Sequence, residues 1–127
     1  MRRCASRSNS SRVPKTIPDN DPAGVTTGIN VKRPGLALQK VLVSVDITHT
    51  YRGDLVIQLI APNGEIATLS DRAGGSADNF SAVDLDVTSS FTPGSSASGP
   101  WKLFVRDLAI QDTGTINSFS LTITATN

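Results

Sequence analysis

A lone histidine, His49, stands three residues before the triplet Arg52-Gly53-Asp54, in the run HTYRGDLVIQLIAPNGE. An imidazole is the usual general base of peptide hydrolysis. An Arg-Gly-Asp on a protruding loop would offer its carboxylate to a metal-bearing adhesion receptor. Neither chemistry is completed elsewhere in the chain. A serine peptidase also needs a positioned nucleophile, an oxyanion site and a carboxylate behind the imidazole. The sequence has neither Gly-x-Ser-x-Gly nor His-Glu-x-x-His. Leu55 opens an apolar alternating run directly after Asp54, which places the triplet at the mouth of a strand. There Gly53 is expected to supply backbone freedom for a tight turn, with Arg52 and Asp54 bonded locally. No catalytic residue is assigned, and the stretch reads as an architectural corner.

Metal and sugar chemistry have their own candidates. Asp46, Asp54, Asp78, Asp84, Asp86, Asp107 and Asp112 fall at strand ends or in turns, and Asn79 with carbonyls of a glycine-rich loop would complete an oxygen shell. Of these, Asp46, Asp78 and Asp107 are the candidate calcium ligands, although the spacing fits no EF-hand loop. Asp84 and Asp86 alternate with apolar residues, the ordinary pattern of a solvated strand face. No other cofactor is called for. Trp101 would suit a sugar-stacking platform, but it is in phase with Leu103 and Val105, which assigns it to a core.

The totals bound the class of chain. The 127 residues suffice for one domain, and 38% hydrophobic with 5% aromatic, 10 Gly and 7 Pro favours short strands and frequent turns. The net charge of +1 conceals an asymmetry. Arg2, Arg3, Arg7, Arg12 and Lys15 precede any acid, whereas from Val25 onward seven Lys/Arg face nine Asp/Glu. The basic segment is short and has no aromatic residue to stack on bases, so no nucleic-acid partner is expected. Cys4 is the sole cysteine, which rules out an intramolecular disulfide. No run is long and apolar enough for a membrane-spanning helix, and the first residues lack the apolar core of a signal peptide. Export, if it occurs, is expected to depend on sequence outside this stretch.

Residues 1–24 hold almost no large apolar side chains and read as a flexible basic linker, with the folded domain at 25–127. After Val25 the period is two. Val41, Val43, Val45 and Ile47 share a face, as do Leu55, Ile57 and Leu59, whose strand carries Val56 and Ile60 on its other side and is expected to be central. Val83, Leu85 and Val87 form a third set. Trp101, Leu103 and Val105 form a fourth, and Phe119, Leu121 and Ile123 a fifth. Pro62-Asn63-Gly64 marks a hairpin, while Asp71–Asn79, Thr92–Pro100 and Asp112-Thr113-Gly114 mark longer breaks. About eight strands at this spacing predict an all-β fold, an antiparallel two-sheet β-sandwich of jelly-roll type.

Five motifs then carry a family likeness. They are Arg52-Gly53-Asp54-Leu55, the Pro62-x-Gly64 turn, Ala77-Asp78-x-Phe80, Gly99-x-Trp101, and Gly114-Thr115 leading to Phe119-x-Leu121. In this order the chain resembles the P domain (P/Homo B domain) of proprotein convertases and secreted bacterial peptidases, and the Asp107 to Thr115 phrasing is nearer the bacterial members. The resemblance implies a non-catalytic β-sandwich that supports a peptidase catalytic domain, with a subtilisin-like serine endopeptidase or a metallopeptidase as parent. It also implies secretion, an influence on calcium dependence and contact with protein substrates. A free-standing extracellular module binding protein or carbohydrate is the alternative.

Overall fold

Val41, Val43, Val45 and Ile47 are at most 2% exposed, and so are Leu55, Ile57, Leu59, Trp101, Leu103, Val105, Phe119, Leu121 and Ile123. Each set alternates with outward residues, so each strand can bury one face only by laying it on a second sheet. The computed structural model describes residues 4–11, 15–31, 37–72, 75–109 and 114–126, with backbone alone for 4–11, Pro22, Arg52 and Thr126. Nine strands lie within those residues: β1 (Cys4–Ser11), β2 (Lys15–Ile17), β3 (Asp21–Val31), β4 (Ala37–His49), β5 (Leu55–Ile60), β6 (Ile66–Asp71), β7 (Phe80–Asp86), β8 (Gly99–Asp107) and β9 (Gly114–Thr126). One sheet runs β1-β9-β4-β7, with β2 also on β9, and the other runs β3-β8-β5-β6. All the pairings are antiparallel.

β1 and β2 occupy successive stretches of the same neighbour. β1 lies opposite Phe119 to Thr126, and β2 opposite Gly114 to Ile116. Treated as one interrupted strand, they reduce the order to eight positions that cross between the two sheets as in a jelly roll. β5 sits between β8 and β6, as its two-sided apolar pattern predicts, and Val56 on its outer side is only 3% exposed. Trp101 is fully buried, donates its indole N–H to the Ala97 carbonyl at 3.0 Å, and meets Phe91 edge-to-face at 5.4 Å. Its hydrogen-bond need is met inside the core.

The third apolar set behaves differently. Val83 is 80% and Leu85 38% exposed, whereas Phe80 and Val87 are buried. The register against β4 shifts between Val43 and Val45, and Asp84 adopts φ +49° there. A bulge adds one residue to the strand and turns the following side chains out of phase. The Asp84 amide donates to Ser44 Oγ at 2.9 Å. β7 is an edge strand, and a bulge there blunts pairing with other chains.

The linker expected over residues 1–24 is corrected as well. Cys4–Ser11 pairs rung by rung with β9, β3 begins at Asp21, and Ile17 is 1% exposed within the core. Composition could not report this, because an edge strand is held by backbone hydrogen bonds that polar side chains do not encode. Ile17 is the one large apolar residue of β2, and its burial anchors that strand. Ile17→Ala is expected to cost about 2–4 kcal/mol in urea denaturation; an unchanged midpoint would return this segment to the status of a tail.

At the far end of the sandwich a single carboxylate joins two loops. The Ala61 amide donates to the Glu65 carbonyl at 2.8 Å and closes the β5–β6 hairpin. Glu65 Oε1 accepts from Asn63 Nδ2 at 2.7 Å and from the Thr92 amide at 3.0 Å, and Oε2 accepts from the Thr92 hydroxyl at 2.7 Å. The Thr92 amide, then the Asn63 and Thr92 side chains, hold the Glu65 carboxyl below the ordinary value of 4.5. A depressed folded-state value means the contribution is complete above the ordinary value and fades as pH falls through the lower, folded one. Melting temperature is therefore expected to drop on acidification below pH 4.5, with a shallower drop in Glu65→Gln. Equal slopes in the two proteins would remove Glu65 from the acid response.

Candidate functional site

The inward phase of β4 does not end at Ile47. Two residues on it reaches His49, and two residues beyond Val105 on β8 it reaches Asp107. Both polar residues are 0% exposed, one in each sheet, and His49 Nε2 lies 3.1 Å from Asp107 Oδ2. Every remaining polar position of the pair is occupied nearby. Asp107 Oδ1 accepts the Ala109 amide at 3.0 Å, and His49 Nδ1 accepts the Tyr51 amide at 3.0 Å. A backbone N–H can only donate, so Nδ1 carries a lone pair and the ring's one proton sits on Nε2, donated to Asp107. These bonds fix the imidazole in one tautomer.

The surrounding backbone is closed just as tightly. The His49 amide donates to Asn79 Oδ1 at 3.0 Å, and the Asn79 amide donates to the His49 carbonyl at 2.8 Å. A Cβ on Gly114 would collide with the Thr48 carbonyl and stand 2.7 Å from His49 Cδ2. Only glycine lets β9 start flush against the imidazole. In a Ser-His-Asp arrangement the nitrogen turned away from the carboxylate faces the nucleophile. Here that nitrogen is held by an amide two residues along the same chain, in a site without solvent. The geometry positions strands and leaves no base free to take a proton.

Arg52–Asp54 forms a 3-10 turn beside this pair. Gly53 is needed there, though for another reason than the turn's backbone angle. A Cβ would lie 2.7 Å from the Gly75 carbonyl oxygen, because the Gly53 amide donates to that oxygen at 3.0 Å. Asp54 is 5% exposed, and the Leu108 amide donates to its carbonyl at 2.9 Å. A carboxylate so withdrawn is not displayed to an adhesion receptor. The Arg52 side chain, Gly74, Asp112 and Thr113 lie outside the described residues, so the local bond expected between Arg52 and Asp54 falls there too.

The structure does not bring the three candidate calcium ligands together. Asp46 is exposed on the outer face of β4, Asp78 is exposed in the loop before β7, and Asp107 points inward to His49. No group of three or more His, Cys, Asp or Glu side chains converges as a metal site among the described residues. The strand period explains the separation: Asp46 alternates with Val45 and Ile47, whereas Asp107 keeps step with Val105. The pairing of His49 with Asp107 was missed in the sequence, yet a signal existed. Each is a polar residue at an inward position of an apolar strand, and such a residue requires a buried partner. Asn79 and Tyr51 gave no comparable signal, since they contribute through loop geometry.

Residues 38–123 match the family model described as the proprotein convertase P-domain. The chain belongs to this family. It is similar to Leupeptin-inactivating enzyme 1 of Streptomyces exfoliatus, 44% identical over 107 residues that cover 84% of this chain and 24% of that protein. It is equally similar to the Transglutaminase-activating metalloprotease of Streptomyces mobaraensis, 44% identical over 108 residues, 84% of this chain and 13% of the relative. The chain thus spans under a quarter of the length of these relatives. Among solved structures, a serine protease of Aeromonas sobria superposes with a TM-score of 0.72 at 18% identity, over 97% of this chain and 27% of that one, a likeness of fold. The match makes the chain a P domain homologous to segments of bacterial proteases.

Removing one member of a buried pair strands the other without solvent. His49→Ala, which leaves the Asp107 carboxylate buried alone, is expected to cost about 3–5 kcal/mol. In a double-mutant cycle, His49→Leu with Asp107→Leu is expected to cost less than the two single changes together. Strict additivity would mean that the two side chains do not act as a unit.

Proposed function

We propose that this P domain is the non-catalytic accessory module of a secreted, extracellular peptidase, stabilising the catalytic domain and assisting its engagement of protein substrates. One observation carries the reading. The single imidazole of the chain is sealed in the inter-sheet corner with both ring nitrogens occupied by structural bonds. Family membership supplies the context, since the P domain is a protease-associated module. The catalytic partner is a subtilisin-like serine endopeptidase in the first version of this proposal. A metallopeptidase parent is the second version, favoured by the 44% identity to a protein named as a metalloprotease. The carbohydrate-module alternative loses its platform, because Trp101 is fully buried.

Alone, the chain is expected to cleave neither casein nor small peptide substrates. Fused to the catalytic domain of its parent, it is expected to raise that enzyme's inactivation temperature and its turnover on proteins, with little change on short peptides. Inhibition of the fusion by a serine-directed phosphonate or by a chelator assigns the parent type. Phosphonate labelling of one serine in the isolated chain, abolished by His49→Ala, would overturn the reading.

A further inference from the structure

The outer face of the sheet β3-β8-β5-β6 carries more apolar surface than a wet face requires. Register sets Ile66 beside Ile60 and Ile60 beside Lys102. The next row holds Thr68, Gln58 and Phe104, and the one after it Asp71, Val56 and Arg106, with the exposed Asp71 carboxylate a strand away from Arg106 across Val56. Ile66 is 49% exposed, Ile60 and Phe104 are half-buried, and Lys102 is exposed.

Arg106 is the unusual member of this face. Its Nε is buried and has no hydrogen-bond partner, and its guanidinium carbon lies 6.0 Å from the centroid of the Phe104 ring. Among the described residues neither Arg106 nor Lys102 is paired with a carboxylate. The buried Nε is closed to an incoming group, which leaves the Nη nitrogens at the end of the half-buried guanidinium to meet one. The planar fork of a guanidinium held over an aromatic ring takes a carboxylate in two parallel bonds.

We propose that this face docks the catalytic domain of the parent peptidase, through a carboxylate that closes on Arg106 within an apolar contact over Phe104, Ile60 and Ile66. The inference rests on the accessory reading above and gives it a surface. The matched relatives continue far beyond this domain, which covers 24% and 13% of their lengths. A tethered neighbour is present at high effective concentration, so a modest apolar face centred on one cation suffices to hold it. The rival, Val83 on β7, stands alone, since the register places Leu85 opposite the inward Val43, and it adjoins Asp84 in the bulge rather than a cation.

The test uses the complete parent peptidase carrying Arg106→Leu, Ile66→Asp or Val83→Asp, followed by calorimetry and by thermal inactivation of its activity. The wild-type domains are expected to melt in one coupled transition. Arg106→Leu and Ile66→Asp are expected to split it into two and to speed inactivation severalfold, while Val83→Asp leaves it coupled. Each variant of the isolated chain, melted separately, is expected to keep its wild-type midpoint, which separates lost docking from lost folding. Coupled melting in both Arg106→Leu and Ile66→Asp would overturn the docking face, as would uncoupling by Val83→Asp alone. A peptidase whose inactivation is unaffected when the whole domain is deleted would instead overturn the accessory reading itself.

Discussion

Two sheets that share only apolar side chains can slide, because the hydrophobic effect is indifferent to direction. The bond from His49 to Asp107 removes that freedom at one end of the sandwich. It joins the last residue of β4 to the last residue of β8, across the sheets, with no solvent to compete for either partner. Its demands spread outward from there. Nδ1 fixes where Tyr51 turns, Oδ1 fixes where the chain leaves β8 at Ala109, and the imidazole wall admits only Gly114 at the start of β9. The Arg-Gly-Asp turn is packed into the same corner by the approach of Gly53 to Gly75. What resembles a fragment of catalytic machinery is a structural joint, and its lack of solvent access is what makes it useful as one.

Most of the architecture was legible because alternation is a strong signal wherever a strand is long, regular and buried on one side. β4, β8 and β9 meet that condition over most of their length, β5 keeps the alternation although its outer side is partly covered, and the inward residues of all four were assigned correctly. The errors fall where a physical effect leaves no trace in residue type. The bulge at Asp84 shifted the phase of β7, so Val83, taken as inward, faces out, while Leu85 stays opposite the inward Val43 and is half-exposed only because β7 is an edge. β1 is held through its backbone, which is blind to composition. Gly53 was rightly taken as required, but backbone proximity, which needs the third dimension, is the cause.

The site was less legible than the fold. Asp46, Asp78 and Asp107 share a residue type, and nothing in linear order reports that the pleat sends one outward and another into the core. Period two did contain the answer for His49 and Asp107. Following the inward phase to its end on each strand isolates two polar residues that must satisfy each other, although 58 positions separate them. The unsatisfied Nε of Arg106 has no such signature, because it depends on what Phe104 and its neighbours cover.

The register of β1 on β9 sets Cys4 opposite Thr126 and Ser11 opposite Phe119. The first and last strands are thus neighbours, and chain attached before one and after the other would emerge at the same corner. Tension drawn through such flanking segments would load the rungs in sequence, starting with Cys4 and Thr126, as a zipper opens from its end. Antiparallel strands pulled apart this way yield one pair of hydrogen bonds at a time, whereas strands pulled along their length must break all pairs together. A load entering there would meet the β1–β9 rungs first, and the His49–Asp107 corner lies at the opposite end of β9.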